Sequence, residues 1–63
     1  MKTIFLPSAN NFYPEGTQVK CSFEGTITRG TLHDENMDKS IVALKTAEGK
    51  IHWSHISHVT LDR

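Results

Sequence analysis

The sequence is poor in the residues that staple or anchor a small protein. Among its 63 residues there is one cysteine, Cys21, so a disulfide within the chain is excluded. Small secreted domains usually depend on several disulfides, and a reducing, cytoplasmic location is therefore expected. The apolar opening of residues 1–6 stops at Pro7, too early for a signal peptide or a membrane span. The sequence thus predicts a cytoplasmic protein that does not cross a membrane.

The sequence also lacks an excess of charge of either sign, since seven Lys and Arg balance seven Asp and Glu. Proteins that bind nucleic acid without sequence preference usually carry a clear basic excess, because their affinity comes largely from neutralising phosphates. The balance argues against such a role for the chain as a whole. A local basic patch stays open, and its candidate residues are Lys20, Arg29, Lys45 and Lys50.

Catalytic patterns are missing as well. The sequence has no glycine-rich phosphate loop and no pair of carboxylates in an apolar setting. A serine next to His55 lacks the orienting acid and the oxyanion hole that a catalytic triad requires. We therefore expect no catalytic residue and no cofactor, and an enzyme is the less favoured class.

A chain of this length has room for one domain with one small core. Domains of about 60 residues bury only about 60% of the surface that the unfolded chain exposes, so their stability is marginal without a staple or a partner. Because no disulfide can serve, self-association into a homo-oligomer is one expected way to add buried area.

What the sequence does contain is alternation of apolar and polar residues at the period of a β-strand. Residues 1–14 are predicted as an irregular lead-in and residues 33–40 as a polar loop. The predicted strands cover 17–23, 26–32 and 41–46, followed by a strand that begins at Ile51 and a closing strand around Val59.

The predicted core follows from the same alternation. Ile27 and Leu32 lie an odd number of residues apart, so in a regular strand their side chains would point to opposite faces. We therefore expect a β-bulge at Gly30 that turns both inward. The predicted inward residues are Val19, Cys21, Phe23, Ile27, Leu32, Val42, Leu44, Ile51, Trp53, Val59 and Leu61.

The most informative stretch runs from Gly49 to Leu61. It predicts a strand, one tight helical turn at residues 54–57 and a second strand, a path typical of small SH3-like barrels. We therefore predict an all-β domain over residues 15–63. Its expected form is a single SH3-like barrel of about five strongly bent antiparallel strands, with one 3₁₀ turn before the last strand.

The pattern from Gly16 to Leu61 resembles the SH3-like barrel superfamily, which includes Tudor-type modules and retroviral integrase C-terminal domains. Most of the chain is similar to the plasmid-borne type II dihydrofolate reductases, small SH3-like barrels that assemble as tetramers around a central active-site pore. The residues that carry this likeness are Phe5-Leu6-Pro7-Ser8, Phe12, Gly16, Val19-Lys20, Gly25-Thr26-Ile27, Ile51, Trp53, Ile56 and Val59.

The pore residues of that family are not matched. Its Val-Gln-Ile-Tyr stretch falls on residues 51–54, where His52 replaces Gln and Ser54 replaces Tyr. Its pore lysine falls near Cys21, beside Lys20. The resemblance implies the scaffold, and a reductase-like oligomer is the second alternative function.

Three histidines recur at intervals of three residues: His52, His55 and His58. On one face of a 3₁₀ turn they could bind zinc, with His33, Asp34 or Asp38 as a further ligand. A barrel instead places the first and last of them on different strands and the middle one in the turn. Surface histidines without a metal are therefore expected.

The residues predicted to bind a partner combine aromatic rings with histidines. Flat rings supply contact area at low entropic cost, and SH3-like barrels often bind along aromatic-lined grooves. A core position is favoured for Trp53, which leaves Tyr13 as the better surface candidate. The predicted partner-binding residues are Tyr13, His52, Trp53 and His55.

Together, these observations predict a non-catalytic binding module that recognises a protein partner or associates with itself. The small size and stand-alone character of the chain suggest an accessory protein of a phage, plasmid or other mobile element. The first alternative is a DNA- or RNA-binding barrel, in which the basic residues hold the backbone while bases stack on Tyr13 and Trp53.

Overall fold

The computed structural model describes residues 2–62, which form seven strands and one short 3₁₀ helix. In chain order these are β1 (Thr3–Leu6), β2 (Asn11–Pro14), β3 (Gln18–Phe23), β4 (Thr26–Asn36), β5 (Ile41–Lys45), β6 (Ile51–His55), the 3₁₀ helix (Ile56–His58) and β7 (Val59–Leu61). The prediction of an all-β chain with a 3₁₀ turn directly before the last strand is confirmed.

Five of the strands form one antiparallel sheet in the order β6-β5-β4-β3-β7. The sheet is strongly curved, because Cys21 Sγ on β3 lies 2.7 Å from Ser54 Oγ on β6 although β4 and β5 separate the two strands. In a flat sheet, three strand spacings would hold such residues about 14 Å apart. Over residues 2–62 no ladder joins β6 to β7, so strand pairing does not close the sheet into a full circle.

Gly30 lies at a point where β4 approaches the end of β5 very closely. A Cβ atom at this position would lie 2.6 Å from the carbonyl oxygen of Lys45, so only glycine fits. The bulge predicted here is wrong, since the register of β4 shifts between Leu32 and Asp34 instead. Ile27 consequently stays on the outer face of β4, half exposed.

The lead-in, predicted to be irregular, contains a hairpin of β1 and β2. Ile4 pairs with Tyr13 across the hairpin, and Asn10 takes the left-handed conformation in the turn with φ of 51°. Ile4 and Leu6 are fully buried, whereas the residues around them are partly or fully exposed. Two alternating residues in a strand of four are too few for periodicity to reveal a strand.

The hairpin and the sheet share one hydrophobic core. Its buried members are Ile4, Leu6, Val19, Cys21, Leu32, Val42, Leu44, Ile56 and Val59, with Tyr13 and Leu61 packed against them. The inward positions predicted at Val19, Cys21, Leu32, Val42, Leu44 and Val59 are confirmed. Within residues 2–62 every buried side-chain nitrogen or oxygen has a hydrogen-bond partner, as is usual in native cores.

Several apolar residues predicted to point inward are exposed: Phe23 by 54%, Ile27 by 50%, Ile51 by 43% and Trp53 by 45%. In the β5–β6 pair, Trp53 lies opposite Ala43 and His52 lies opposite Leu44. Opposed residues of an antiparallel pair share a face. The side of β6 that faces the core residue Leu44 therefore carries His52 and Ser54, and the inward prediction for Ile51 and Trp53 is wrong.

The predicted polar loop is shorter than expected, because β4 continues to Asn36. An ion pair between Lys2 and Asp34 ties the start of the chain to this extension. The hydrogen bond from Lys2 lowers the pKa of the Asp34 carboxyl, with a smaller contribution from the Glu35 backbone N–H. The same hydrogen bond raises the pKa of Lys2.

Candidate binding site: a groove of aromatic rings and histidines

A groove of about 560 Å³ opens where the end of β3, the start of β4, β6 and the 3₁₀ helix meet. We call it the aromatic groove. Its lining residues are Cys21, Phe23, Glu24, Thr26, Thr28, His52, Trp53, Ser54, His55 and His58. Three strands and a turn that are distant in sequence thus contribute to one concave surface.

One wall of the groove is a row of rings in edge-to-face contact. The Phe23 ring lies 5.2 Å from the His58 ring at an interplanar angle of 76°. The His58 ring in turn lies 5.8 Å from the His55 ring at 71°. Edge-to-face packing of this kind is favourable between aromatic rings, so the wall is held in place by its own members.

His55 is also the N-cap of the 3₁₀ helix. Its Nδ1 accepts a hydrogen bond from the Ser57 backbone N–H at 3.2 Å and lies 2.8 Å from Ser57 Oγ. A ring nitrogen that accepts from an N–H carries no proton of its own, which places the proton of the neutral ring on Nε2. This cap fixes the orientation of the ring.

The floor of the groove is the contact between Cys21 and Ser54. The Cys21 side chain is 2% exposed, and its Sγ is 2.7 Å from Ser54 Oγ. In the part of the chain that the structure describes, no three His, Cys, Asp or Glu side chains meet in an arrangement that could hold a metal ion. The zinc set considered from the sequence, the three histidines with a residue of the 33–38 segment, is therefore not assembled.

The electrostatics of the aromatic groove are simple. Among the described residues, 2–62, Glu24 is the one lining residue with a formal charge at pH 7 when the histidines are neutral, and the lining includes no Lys or Arg. The threonine and serine hydroxyls add neutral donors and acceptors. The groove therefore offers rings, neutral polar groups and one negative charge.

The structure brings together three of the four predicted partner-binding residues. His52, Trp53 and His55 line the aromatic groove. Tyr13 does not, because it lies on β2 and is half buried against the core. The position of Tyr13 follows from its pairing with strand β1, whose buried residues the sequence pattern does not reveal.

Phe23 and Glu24 line the groove but were not predicted as site residues. The alternation in β3 placed Phe23 in the core with Cys21. The Glu24-Gly25 turn that follows it was the available clue, because a residue at the very end of a strand lies at the margin of a small core. Both Glu24 and Gly25 have positive φ, which marks a tight turn.

The basic residues of the nucleic-acid hypothesis are partly brought together elsewhere. Arg29 and Lys45 line a second groove of about 350 Å³, and Lys20 lies opposite Arg29 in the β3–β4 ladder. Asp62 shares this groove, with its Oδ2 atom 3.5 Å from Arg29 Nε. Lys50 is not part of the lining.

We call this surface the basic groove. Its lining residues are Gln18, Arg29, Gly30, Thr31, Lys45, Thr46, Ala47 and Asp62, and none of them is aromatic.

Comparison with known proteins finds no matching family model, no matching curated protein and no matching solved structure. The likeness to SH3-like barrels and to type II dihydrofolate reductases accordingly stays a prediction from the sequence. No helix within residues 2–62 is long and apolar enough to cross a membrane.

Proposed function

We propose that this protein is a non-catalytic binding module that recognises an extended segment of a protein partner in the aromatic groove. The observation that carries the proposal is the position of Phe23 and Trp53, two large rings that are about half exposed and line one concave site. Concave sites lined by aromatic residues with a few polar groups are the usual form of binding sites. Exposed aromatic anchors also contribute disproportionately to binding energy.

The charge of the groove suggests the chemistry of the partner segment. Glu24 would attract a Lys or Arg, and the ring wall of Phe23, His58 and His55 would accept an apolar or aromatic side chain. Polyanions are disfavoured, because the lining that residues 2–62 provide has no Lys or Arg to pair with phosphates. We therefore expect a segment in which an apolar anchor is followed or preceded by a basic residue.

The scaffold supports the same function. The strand order β6-β5-β4-β3-β7, the strong curvature and the 3₁₀ helix before β7 agree with the SH3-like path that the sequence predicts. Several domains of that kind bind peptides along aromatic grooves. We further propose a reducing, cytoplasmic setting, since Cys21 is the only cysteine and is free.

The test is a selection of peptides on the whole protein from a random peptide library, followed by titration of the selected peptides. We expect enrichment of peptides that combine an aromatic or aliphatic residue with Lys or Arg. The Phe23→Ala variant should weaken their binding at least tenfold, since truncation of an aromatic anchor typically costs about 1.4 kcal/mol or more. The matched control is Phe12→Ala, because Phe12 is exposed by 63% on β2 and lies outside the groove.

Two results would contradict the proposal. One is a selection that enriches no common peptide class. The other is a set of peptides that bind Phe23→Ala as tightly as the unaltered protein, which would place the site elsewhere on the surface.

The alternative of DNA or RNA binding has one observation in its favour, the meeting of Arg29 and Lys45 in the basic groove beside Lys20. Asp62 weakens it by pairing with Arg29. The test is anisotropy of a labelled mixed-sequence oligonucleotide. Affinity that falls steeply between low and physiological salt, and that is lost in an Arg29→Ala/Lys45→Ala variant, would establish this alternative.

A reductase-like oligomer is the remaining alternative. Residues 51–54, which fall on the pore stretch of the type II dihydrofolate reductases, lie on the exposed edge strand β6, where subunits of an assembly could meet. That alternative requires a tetramer. A monomeric or dimeric mass in solution, measured by light scattering after size exclusion, would remove it.

A further inference from the structure

Strand β6 has one paired edge and one open edge. Over the described chain it pairs with β5 alone. Two hydrogen bonds at its ends show which residues face β5: the Thr46 N–H donates to the Lys50 carbonyl, and the Ile56 N–H donates to the Ser40 carbonyl. Along an antiparallel strand, residues alternate between facing the partner and facing away. Positions 50, 52, 54 and 56 therefore face β5.

The intervening residues of β6 turn their backbone groups to the open edge. These are Ile51, Trp53 and His55, and their N–H and C=O groups are six in all. The same residues project their side chains from one face of the strand, and Ile51 and Trp53 are 43% and 45% exposed. The open edge thus combines unpaired backbone groups with apolar side chains.

This edge has none of the usual protection against strand pairing. Natural proteins shield sheet edges with charged residues, prolines, bulges or very short strands. The β6 sequence Ile-His-Trp-Ser-His contains no Asp, Glu, Lys, Arg or Pro, and it pairs with β5 without a register shift. The opposite edge strand, β7, is only three residues long, and the hydroxyl of Ser8 donates to the Val59 carbonyl there. Of the two edges that the five-stranded sheet has over residues 2–62, only the β6 edge is long, uncharged and open.

We propose that β6 pairs with β6 of a second copy of this chain, antiparallel and around a two-fold axis at Trp53. In this register Trp53 lies opposite Trp53 of the partner subunit, and each Ile51 lies opposite His55 of the partner subunit. All six outward backbone groups of each strand then find partners, because the outward residues are odd in number and centred on Trp53. The two sheets join into one.

A second copy suits this edge better than an unrelated strand for three reasons. The arrangement of the outward residues is symmetric about Trp53, as an isologous contact requires. Neither the edge nor the whole chain carries a net charge at pH 7, so two copies do not repel each other. A standard interface takes about 800 Å² per subunit, which is about a fifth of this chain's 4179 Å², and a core this small gains from such burial.

The pairing goes beyond the proposed recognition of a partner segment, and it does not depend on it. Trp53 and His55 belong both to the outward residues of the edge and to the lining of the aromatic groove. The dimer would therefore bring two aromatic grooves next to each other across the axis, so that one partner chain with two recognition segments could bind both.

The first test is the mass in solution, measured by sedimentation velocity from micromolar to near-millimolar protein. We expect the unaltered chain to dimerise reversibly. Trp53→Lys and Trp53→Glu should each be monomeric, because like charges would face each other at the axis. An equimolar mixture of the two variants should recover the dimer, because unlike charges then meet. Ile27→Lys, at another half-exposed apolar position on β4, is the control and should remain dimeric.

A second variant tests the strand pairing itself. Ile51→Pro removes an outward N–H and leaves the β5–β6 ladder intact, since proline is tolerated where the N–H faces solvent. By symmetry the dimer loses two hydrogen bonds, so the dissociation constant should rise about tenfold or more while the circular dichroism spectrum is unchanged.

A monomeric unaltered chain at every concentration would overturn the proposal, as would a mixture of Trp53→Lys and Trp53→Glu that stays monomeric. Phe23→Ala should weaken peptide binding at least tenfold and leave the dimer mass unchanged, which separates this proposal from the proposed function.

Discussion

Two regions of this molecule hold large apolar side chains, and only one of them is covered. Where the hairpin packs on the sheet, Leu6 of the hairpin and Leu44 of the sheet belong to a core from which solvent is excluded. In the aromatic groove, Phe23 and Trp53 have the same apolar character but stay about half exposed. Within residues 2–62, the hairpin covers one part of the curved sheet with apolar side chains, and no segment covers the other part. Hydrophobic character alone therefore does not tell core from binding site in a chain this small.

The sharpest way to test this contrast is to truncate a residue in the covered region. Leu44→Ala removes a fully buried side chain from the core. Loss of burial together with the resulting cavity should lower the free energy of unfolding by about 2–5 kcal/mol. Urea denaturation followed by circular dichroism measures the change. A loss below about 1 kcal/mol would show that the core is not packed as described.

The next largest effect is expected at the close approach of β4 and β5. Gly30→Ala would place a Cβ atom 2.6 Å from the Lys45 carbonyl oxygen, so the backbone must shift. Overpacking of this kind typically costs about 1–3 kcal/mol, measured by the same denaturation experiment. Thr31→Ala, at the neighbouring and half-buried position of β4, is the control and should cost less. Equal stabilities of Gly30→Ala and the unaltered chain would rule out this close contact.

A smaller change in stability is expected when a groove residue is truncated. Phe23→Ala removes a half-exposed ring and its edge-to-face contact with His58. The free energy of unfolding should fall by less than about 1.5 kcal/mol, although the same variant is expected to weaken peptide binding at least tenfold. Compared with Leu44→Ala, Phe23→Ala should therefore change peptide binding more and the free energy of unfolding less. A loss comparable to that of Leu44→Ala would mean that Phe23 belongs to the core.

The smallest effect is expected from the ion pair between Lys2 and Asp34. The pKa of Asp34 is lowered in the folded chain by its hydrogen bond with Lys2, and the pKa of Lys2 is raised. The lowered carboxyl pKa contributes stability above the unfolded value near 3.8, and this contribution is lost as the pH falls through the folded value. The raised pKa of Lys2 contributes below its ordinary value of 10.5, and its contribution is lost as the pH rises through the folded value.

Asp34→Asn should consequently lower the melting temperature slightly at neutral pH and low salt. The difference from the unaltered chain should vanish below the folded pKa of Asp34 and shrink at high salt, because the pair is exposed and screened. Melting curves at neutral and strongly acidic pH measure it. A difference that persists in acid would assign the effect to something other than the ion pair.

Much of the sheet could be predicted from the sequence, because a strand with one covered face shows a period of two. Val19 with Cys21, and Val42 with Leu44, were placed correctly on that basis. The same period in β6 offers two faces and does not say which of them the core occupies. That choice depends on how the sheet curves, and the curvature brings together strands that are distant in sequence, as the contact of Cys21 with Ser54 shows. The orientation of Trp53 could therefore not be derived locally.

The candidate site was predictable to the extent that it is local in sequence. His52, Trp53 and His55 lie within four residues, so any strand and turn here keeps them together. Phe23 and Glu24 join them only because β3 and β6 meet across the curved sheet. The alternation of apolar and polar residues within each strand does not reveal such a contact. Tyr13 lies outside the groove for the matching reason, since its surroundings depend on the hairpin with β1.

The contact between Cys21 and Ser54 allows local opening of the protein to be measured by thiol labelling. The thiol is 2% exposed beneath the groove and spans the gap between β3 and β6, so a reagent reaches it only when these strands separate. Its rate of labelling, compared with that of an unfolded peptide, therefore yields the free energy of this local opening. Since the chain has no other cysteine, every labelled molecule reports on that one event. A segment seated in the groove would be read out as slower labelling, without any added probe.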